Sequence, residues 1–146
     1  MTEGIELPDN PQVTDHSFIG ELNESDRLVL LSRAQEHKCL ANDFLLRAGD
    51  PGDRIYLILE GRISIERKAE PGKPRIPQQG APGELVGMLA FFTAGTNEAD
   101  VRCLEDSRFA VMSRSAFDAL LGEAPDLWRR LQELGLSRMR KLQLAN

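Results

Sequence analysis

The chain has 146 residues, of which 41% are hydrophobic and 28% are charged, so it fits one globular domain with its own core and excludes a disordered or membrane-embedded composition. A formal net charge of −5 argues against a nucleic-acid-binding surface, because phosphate contacts need clustered lysine and arginine. No apolar run approaches the roughly 20 residues of a membrane span, and no signal-peptide pattern opens the chain. We therefore expect a cytoplasmic protein with a polar N-terminal segment, residues 1–17, and a single domain, residues 18–146.

The first predicted element is an amphipathic helix over residues 22–34, with Asn23 or Ser25 as its N-cap. From residue 39 to residue 111 the pattern changes to short runs that end at glycine, proline or aspartate. These predicted strands are residues 44–47, 55–59, 63–67, 84–86, 99–104 and 108–112. Many short strands at this spacing are typical of a sandwich, barrel or jelly roll, and they argue against a parallel α/β sheet.

Two helices are predicted after the strands. Ser113 or Ser115 can cap a helix over residues 116–123, and Pro125 fits the first position of a last helix that extends to about residue 142. The apolar face of this last helix contains Leu127, Trp128, Leu131 and Leu134. Two interpretations stay open for that face: it packs on its own domain, or it contacts a protein partner, including a second copy in a homodimer.

Residues that often carry chemistry are scattered along the sequence. Cys39 and Cys103 lack the CxxC spacing of zinc or redox sites, so we expect buried free thiols. His16 and His37 have no ligand-spaced cysteine or carboxylate nearby, so we expect surface histidines and no metal site. No GxSxG, HExxH or P-loop motif is present. The sequence therefore gives no catalytic residue.

The glycine-rich turns and their order carry a resemblance to a known family. Residues 49–53, Gly-Asp-Pro-Gly-Asp, precede a predicted strand, and Gly61 lies between two strands. Gly52 and Gly61 would supply a positive φ at these reversals. Residues 82–87, Pro-Gly-Glu-Leu-Val-Gly, are then followed by an apolar segment, a turn and Ala-Asp-Val.

With its flanking helices, this order resembles the cyclic nucleotide-binding domain over about residues 18–142. The resemblance implies a mainly β fold with flanking helices, in which a double-stranded β-helix or jelly-roll β-roll has one N-terminal and two C-terminal helices. It also implies a regulatory protein without catalysis.

In that family a short helix, called the phosphate-binding cassette, holds the cyclic phosphate at its start. By resemblance, Gly87 keeps the family's glycine, whereas Met88 replaces the glutamate that holds the ribose. Asn97 stands in place of the phosphate-binding arginine, and Glu98 in place of a serine or threonine. The candidate ligand-binding residues implied by the resemblance are Gly87, Met88, Leu89, Ala90, Asn97, Glu98 and Ala99.

Charge leads to the same expectation without an alignment. No lysine or arginine lies between Gly83 and Val101, while Glu84, Glu98 and Asp100 are acidic. An arginine–phosphate pair contributes roughly 1.5–3 kcal/mol, so its loss costs about two decades of affinity. We therefore expect no cation to face an anion inside the roll. An alternative register that pairs Gly83 with Glu84 restores a ribose acceptor but not the arginine.

We expect a stand-alone regulatory module that does not bind cAMP or cGMP by the usual contacts and acts through protein association or a non-standard ligand. No cofactor is predicted, and the alternative is a functional cAMP or cGMP receptor with unorthodox contacts. Arg102 does not replace the lost cation, because alternation along a strand points it away from Val101. DNA binding is not expected, because no helix-turn-helix follows the last helix.

Overall fold

The computed structural model describes residues 19–67, 72, 77–93 and 95–144. The predicted N-terminal segment, 1–17, and His16 lie outside them. A short 3₁₀ turn, Ile19–Glu21, precedes four helices and eight strands. The helices are α1 Glu24–Ser32, α2 Met88–Thr93, α3 Arg114–Glu123 and α4 Pro125–Leu144. The strands are β1 Gln35–Cys39, β2 Phe44–Leu46, β3 Arg54–Glu60, β4 Ile63–Arg67, β5 Gln78–Gly80, β6 Leu85–Val86, β7 Ala99–Cys103 and β8 Ser107–Ser113.

The strands form two antiparallel sheets of four, in the orders β1-β8-β3-β6 and β2-β7-β4-β5. Side chains from both sheets meet in an inter-sheet core. Its buried members are Cys39, Leu46, Tyr56, Ile58, Ile63, Val86, Val101, Cys103 and Phe109. The predicted β-roll with flanking helices is confirmed.

A second core lies between the outer face of the β1-β8-β3-β6 sheet and the helices. Strands β3 and β8 supply alternate residues to it, such as Leu57 and Met112, because successive side chains on a strand point to opposite faces. The helices contribute the buried leucines Leu30 and Leu120 and the ring of Phe117. The nine- and ten-residue helices α1 and α3 thus derive their stability from packing rather than from their length.

Most predicted elements have the observed type and end within two residues of the observed bounds. Of the two alternatives at each helix start, the structure selects Asn23, whose Oδ1 accepts the amide of Asp26, and Ser113, whose Oγ accepts the amide of Ala116. Strand β1 was not predicted, because its first four residues are polar and exposed. Strand β1 forms by backbone pairing with β8, and the hydropathy of its own residues does not indicate that pairing.

One glycine has a different role from the one predicted. Gly61 has φ +99°, as expected, and a Cβ there would lie 2.1 Å from Ser107 Oγ. Gly52, however, is not among the residues with positive φ, a role that Gly49 fills at +96°. A Cβ on Gly52 would lie 2.5 Å from the backbone carbon of Ala90. Gly52 is therefore required by the close approach of the turn to helix α2.

Both cysteines are free and buried, as predicted. Strands β1 and β7 bring them into the inter-sheet core, although they are 64 positions apart in the sequence. Burial, followed by a hydrogen bond with the Cys39 thiol, raises the pKa of Cys103 from its ordinary value of 9.0 to about 12. The Cys103 thiol is therefore protonated and unreactive in the folded protein.

Candidate functional site

A cavity of about 100 Å³ lies beside helix α2 and the loop that follows it. Strands β2, β4, β6 and β7 supply its apolar walls, and α2 closes one side. Its lining residues are Leu46, Ile65, Arg67, Leu85, Val86, Gly87, Met88, Ala90, Thr96, Asn97, Glu98, Ala99 and Val101. Six of the seven candidate ligand-binding residues are in this set, and the side chain of the seventh, Leu89, lies outside the described part of the structure.

Gly87 sets the entry into helix α2. Its φ of +82° falls in the left-handed region, and a Cβ would lie 3.3 Å from the carbonyl oxygen of Arg54. The amide of Phe91 donates to the Gly87 carbonyl at 3.2 Å, which closes the first turn. At the other end, the Gly95 amide donates to the Ala90 carbonyl at 3.0 Å. Backbone hydrogen bonds thus define both ends of helix α2, the cassette helix.

Asn97 lines the cavity and is also hydrogen-bonded to the neighbouring turn. Its backbone amide donates to the Asp50 carbonyl at 2.9 Å, and its side-chain Nδ2 donates to the same oxygen at 3.4 Å. The Asn97 carbonyl in turn accepts the amide of Gly49 at 2.7 Å. Asn97 thus holds the loop against residues 49–50.

The acidic residues of the segment differ in where they point. Asp100 accepts the amide of Ala48 at 2.8 Å, so its carboxylate caps a backbone group outside the cavity. Glu98 is exposed and lines the cavity. Glu84 does not line it. A single carboxylate of the described residues therefore faces this space.

The expectation that no cation faces the inside of the roll is wrong, because Arg67 lines the cavity. Arg67 lies on β4, outside the segment 83–101 on which that expectation rested. Arg67 pairs with Ala99 on β7, and Ile65 pairs with Val101. Because side chains alternate along a strand, Ile63, Ile65 and Arg67 all face inward. The sequence already held a signal for the inward position of Arg67, because Arg67 continues the alternation of the apolar residues Ile63 and Ile65.

Arg102 points away from the cavity, as predicted. Its Nη2 lies 3.1 Å from Glu66 Oε1, on the opposite face of the β2-β7-β4-β5 sheet from Val101 and Ile65. Both side chains are partly exposed, so this surface pair contributes little to stability.

The cavity is small for a nucleotide. Pockets for drug-sized ligands occupy roughly 300–1,000 Å³, against about 100 Å³ here. Met88 is buried at 8% exposure and packs into the core on the helix side. Its thioether offers no strong acceptor for a ribose hydroxyl.

The apolar face of α4 packs on its own domain. Leu127 and Leu131 are buried at 2% exposure, and Trp128 and Leu134 pack partly buried against the same core. The structure thus realises the first of the two interpretations for this face.

Helix α4 also touches the cassette helix directly. A Cβ on Gly135 would lie 2.3 Å from Cε2 of Phe92, so the ring of Phe92 occupies the space beside α4 that a side chain at position 135 would need. Arg114, at the start of α3, donates a hydrogen bond to the backbone carbonyl of Phe91. Its guanidinium carbon also lies 3.9 Å from the centre of the Phe91 ring. The two C-terminal helices therefore both contact α2. Helix α4 does so at Gly135 and Phe92, and helix α3 does so through Arg114 and Phe91.

Within the described ranges, no group of three or more histidine, cysteine or acidic side chains converges to hold a metal ion. His37 lies exposed on β1, with its ring 6.4 Å from that of Tyr56. No helix in that same part of the chain is long and apolar enough to cross a membrane.

Comparison with known proteins agrees with this geometry. The family profile described as "Cyclic nucleotide-binding domain" matches residues 36–124. A lysophospholipase nte1 from Aspergillus terreus is 32% identical over 102 residues, which is 70% of this chain and 7% of that protein. A CRP-like cAMP-activated global transcriptional regulator from Mycobacterium tuberculosis is 27% identical over 93 residues, 64% of this chain and 42% of the regulator. The chain thus spans less than half the length of either relative.

Among solved structures, the N-terminal domain of a transcriptional regulator from Streptomyces coelicolor superposes with a TM-score of 0.72 at 25% identity, covering 86% of this chain and 89% of that one. Both sheets and their flanking helices therefore follow a known regulatory domain. The chain belongs to the cyclic nucleotide-binding domain family.

Proposed function

We propose that this protein is a cytoplasmic, non-enzymatic regulatory module that does not hold cAMP or cGMP by its family's contacts. It acts instead through association with another protein or through a different small ligand. The observation that carries the proposal is the charge of the cassette: no lysine or arginine lies between Gly83 and Val101, and the carboxylate of Glu98 lines the cavity.

The three replaced side chains each remove a specific nucleotide contact. Met88 supplies no carboxylate for the ribose, and the amide of Asn97 is already bonded to the Asp50 carbonyl. Glu98 adds a negative charge where the phosphate of a cyclic nucleotide would sit, and like charges repel. The cavity volume adds a steric obstacle, because its 100 Å³ accommodates only part of such a ligand.

A calorimetric titration with cAMP and with cGMP tests the proposal, with Trp128 emission as a second readout. We expect no saturable binding of either nucleotide. Loss of a charge-assisted phosphate pair weakens binding by about two decades, and the carboxylate of Glu98 weakens it further. A dissociation constant below about 1 μM would overturn the proposal.

A rescue experiment separates lost charges from lost space. The variant Met88→Glu/Asn97→Arg/Glu98→Ser restores the family's side chains, and Glu98→Ser alone serves as its matched control. Measurable cAMP binding by the triple variant alone would identify the missing charges as the cause. If the triple variant binds no nucleotide, the volume of the cavity is the barrier.

A second candidate is a cyclic nucleotide receptor with unorthodox contacts, and the position of Arg67 favours it. Arg67 lines the cavity from β4 and carries five N–H donors that suit a phosphate. This candidate requires that the wild-type protein bind cAMP or cGMP and that Arg67→Gln abolish that binding. The same titration therefore decides between the two functions.

A further inference from the structure

We propose that strand β1 pairs with β1 of a second copy of this chain, so that the two β1-β8-β3-β6 sheets join into one continuous sheet across a two-fold axis at His37. The inference goes beyond the proposed function and does not depend on whether a nucleotide binds. The open edge of β1, its alternating charges, the surroundings of Lys38 and an exposed leucine carry the inference.

Strand β1 is an edge strand of its sheet. It pairs with β8 along its whole length, Gln35–Cys39, and none of the other strands that the structure describes lies on its far side. In an antiparallel pair every second residue directs its backbone N–H and C=O away from the neighbouring strand. No hydrogen bond from any described residue reaches these outward groups of β1. The edge is therefore a row of backbone donors and acceptors that another strand can use.

The charges of β1 select one register for a second copy. Glu36 and Lys38 lie on the same face of the strand, and both are exposed. In an antiparallel pair of identical strands centred on His37, Glu36 of each copy lies opposite Lys38 of the other. A pair centred on Glu36 or on Lys38 would instead place two like charges opposite each other, which is unfavourable. Charges on an edge strand usually prevent pairing, but this alternation permits it with a copy of the same strand.

Lys38 lies beside another cation in its own sheet. Its register partner on β8 is Arg108, and like charges directly opposite each other on a sheet are unfavourable. Arg108 is paired with Glu36 at 2.6 Å and with Glu60 at 2.7 Å. In contrast, no hydrogen bond or ion pair joins the Lys38 side chain to any part of the chain that the structure describes. A carboxylate from a second copy would supply the counter-charge that Lys38 lacks.

Glu36 can serve its own sheet and a second copy together. The hydrogen bond from Arg108 lowers the pKa of Glu36 below its ordinary value of 4.5, so the carboxylate is charged at neutral pH. That hydrogen bond uses Oε1, and a carboxylate accepts hydrogen bonds at both of its oxygens. Glu36 of one copy would thus join Arg108 of its own chain to Lys38 of the other.

The same register gives a contact to an exposed leucine. Leu40 directly follows β1 and is 64% exposed. When the register is continued by one residue, Leu40 lies opposite Ala34 of the other copy, which packs partly buried against the helix-side core. Burial of Leu40 would therefore stabilise the dimer. The interface is nevertheless short, because a pair of five-residue strands buries less than the roughly 1,200–2,000 Å² of a stable complex, so we expect a weak dimer.

Sedimentation over a concentration series tests the proposal. We expect the wild-type protein to change from monomer to dimer between about 10 μM and 1 mM. Amide hydrogen exchange over the same series should slow in β1 as the dimer forms. The amides of β5, at the edge of the other sheet, serve as the internal control and should exchange at an unchanged rate.

Two charge reversals and their mixture then assign the register. Glu36→Lys and Lys38→Glu each place like charges opposite each other in a self-pair, so each should weaken its own dimer by about tenfold or more. An equimolar mixture of the two variants should dimerise at least as well as the wild-type protein, because every charged cross-strand pair is then of opposite sign. Arg129→Glu on α4 is the matched control, since it changes the net charge as Lys38→Glu does and should leave the dimer unchanged.

The Lys38→Glu variant keeps the test decisive if Glu36→Lys fails to fold. Its new carboxylate faces Arg108 within the monomer, so the fold of the monomer is retained while the dimer is lost. Circular dichroism of each variant checks the fold.

Several results would overturn the inference. These are a wild-type protein that stays monomeric at about 1 mM, a dimer that Lys38→Glu does not weaken, and a mixture of two folded variants that does not dimerise. A dimer that is lost instead in Leu136→Gln, at an exposed leucine of α4, would place the interface on that helix. None of these results affects the titrations with cAMP and cGMP, so a failure of the dimer is distinguishable from a failure of the proposed function.

Discussion

An ion pair between Asp26 and Arg130 joins helix α1 to helix α4. Asp26 on α1 is 7% exposed, and its two carboxylate oxygens accept hydrogen bonds from Nε and Nη2 of Arg130 on α4, each at 2.7 Å. This is the bidentate geometry in which arginine–carboxylate pairs are strongest. Because the carboxylate is buried, it depends on the guanidinium for its hydrogen bonds.

Removing the guanidinium should therefore destabilise the fold more than an ordinary surface substitution does. We expect Arg130→Gln to lower the melting temperature by several degrees, because it leaves the Asp26 carboxylate buried with no cation. The matched control is Arg129→Gln on the same helix, which breaks an exposed pair with Asp126 and should change the melting temperature by no more than about one degree. Equal shifts in the two variants would refute this role of Arg130.

At the scale of elements, helices α2 and α4 approach closely because Gly135 has no side chain. Gly135 costs the helix roughly 0.8–1 kcal/mol relative to alanine in intrinsic propensity. The space that it leaves is filled by the ring of Phe92 from the cassette helix. Helix α4 is thus packed against α2, the helix that borders the cavity.

Alanine usually stabilises a helix relative to glycine, but a side chain at position 135 should have the opposite effect because the Phe92 ring occupies the space. We expect Gly135→Ala to lower stability to chemical denaturation, since its Cβ would lie 2.3 Å from the Phe92 ring. Gly122→Ala in α3 is the matched control, because no atom lies within 4 Å of its Cβ position, and it should raise stability by up to about 1 kcal/mol. The double variant Gly135→Ala/Phe92→Leu should recover part of the loss. A stabilising Gly135→Ala would show that the close contact is not maintained in solution.

For the whole molecule, the two hydrophobic cores stabilise different parts of the fold. The helix-side core fixes α1, α3 and α4 to one sheet, whereas the inter-sheet core joins the two sheets to each other. Cys39 and Cys103 lie in the inter-sheet core. A reagent can therefore reach these thiols only when the sheets separate, which makes thiol labelling a measure of global opening.

The pH dependence of stability should report the same burial. The pKa of Cys103 is about 12 in the folded protein and has an ordinary value of 9.0, so the unfolded chain loses this proton first. The stability contributed by the neutral thiol is complete below pH 9 and is lost as the pH rises toward 12. Urea unfolding at a series of pH values should show this decline, and Cys103→Ala should have a shallower one. Rapid thiol labelling of the native protein at pH 8 would contradict the burial.

The sequence by itself determined the class of the fold and the absence of basic residues from the segment between Gly83 and Val101. Strand and turn signals are local, so the positive φ of Gly61 could be predicted from neighbouring residues alone, whereas each helix cap could be narrowed only to two candidates. The lack of a cation between Gly83 and Val101 is likewise a property of composition. These features need no knowledge of which strand lies beside which.

Tertiary structure decided what depends on strand order and helix docking. It placed Arg67 in the cavity through its pairing with Ala99, a residue 32 positions away, and it made β1 a strand through backbone bonds to β8. It also settled which face of α4 is buried and why Gly52 has no side chain. Contacts between residues distant in the chain arise only when the sheets close. A local alternation such as Ile63, Ile65 and Arg67 indicates which residues share a face of a strand, but it does not encode which strand lies beside it.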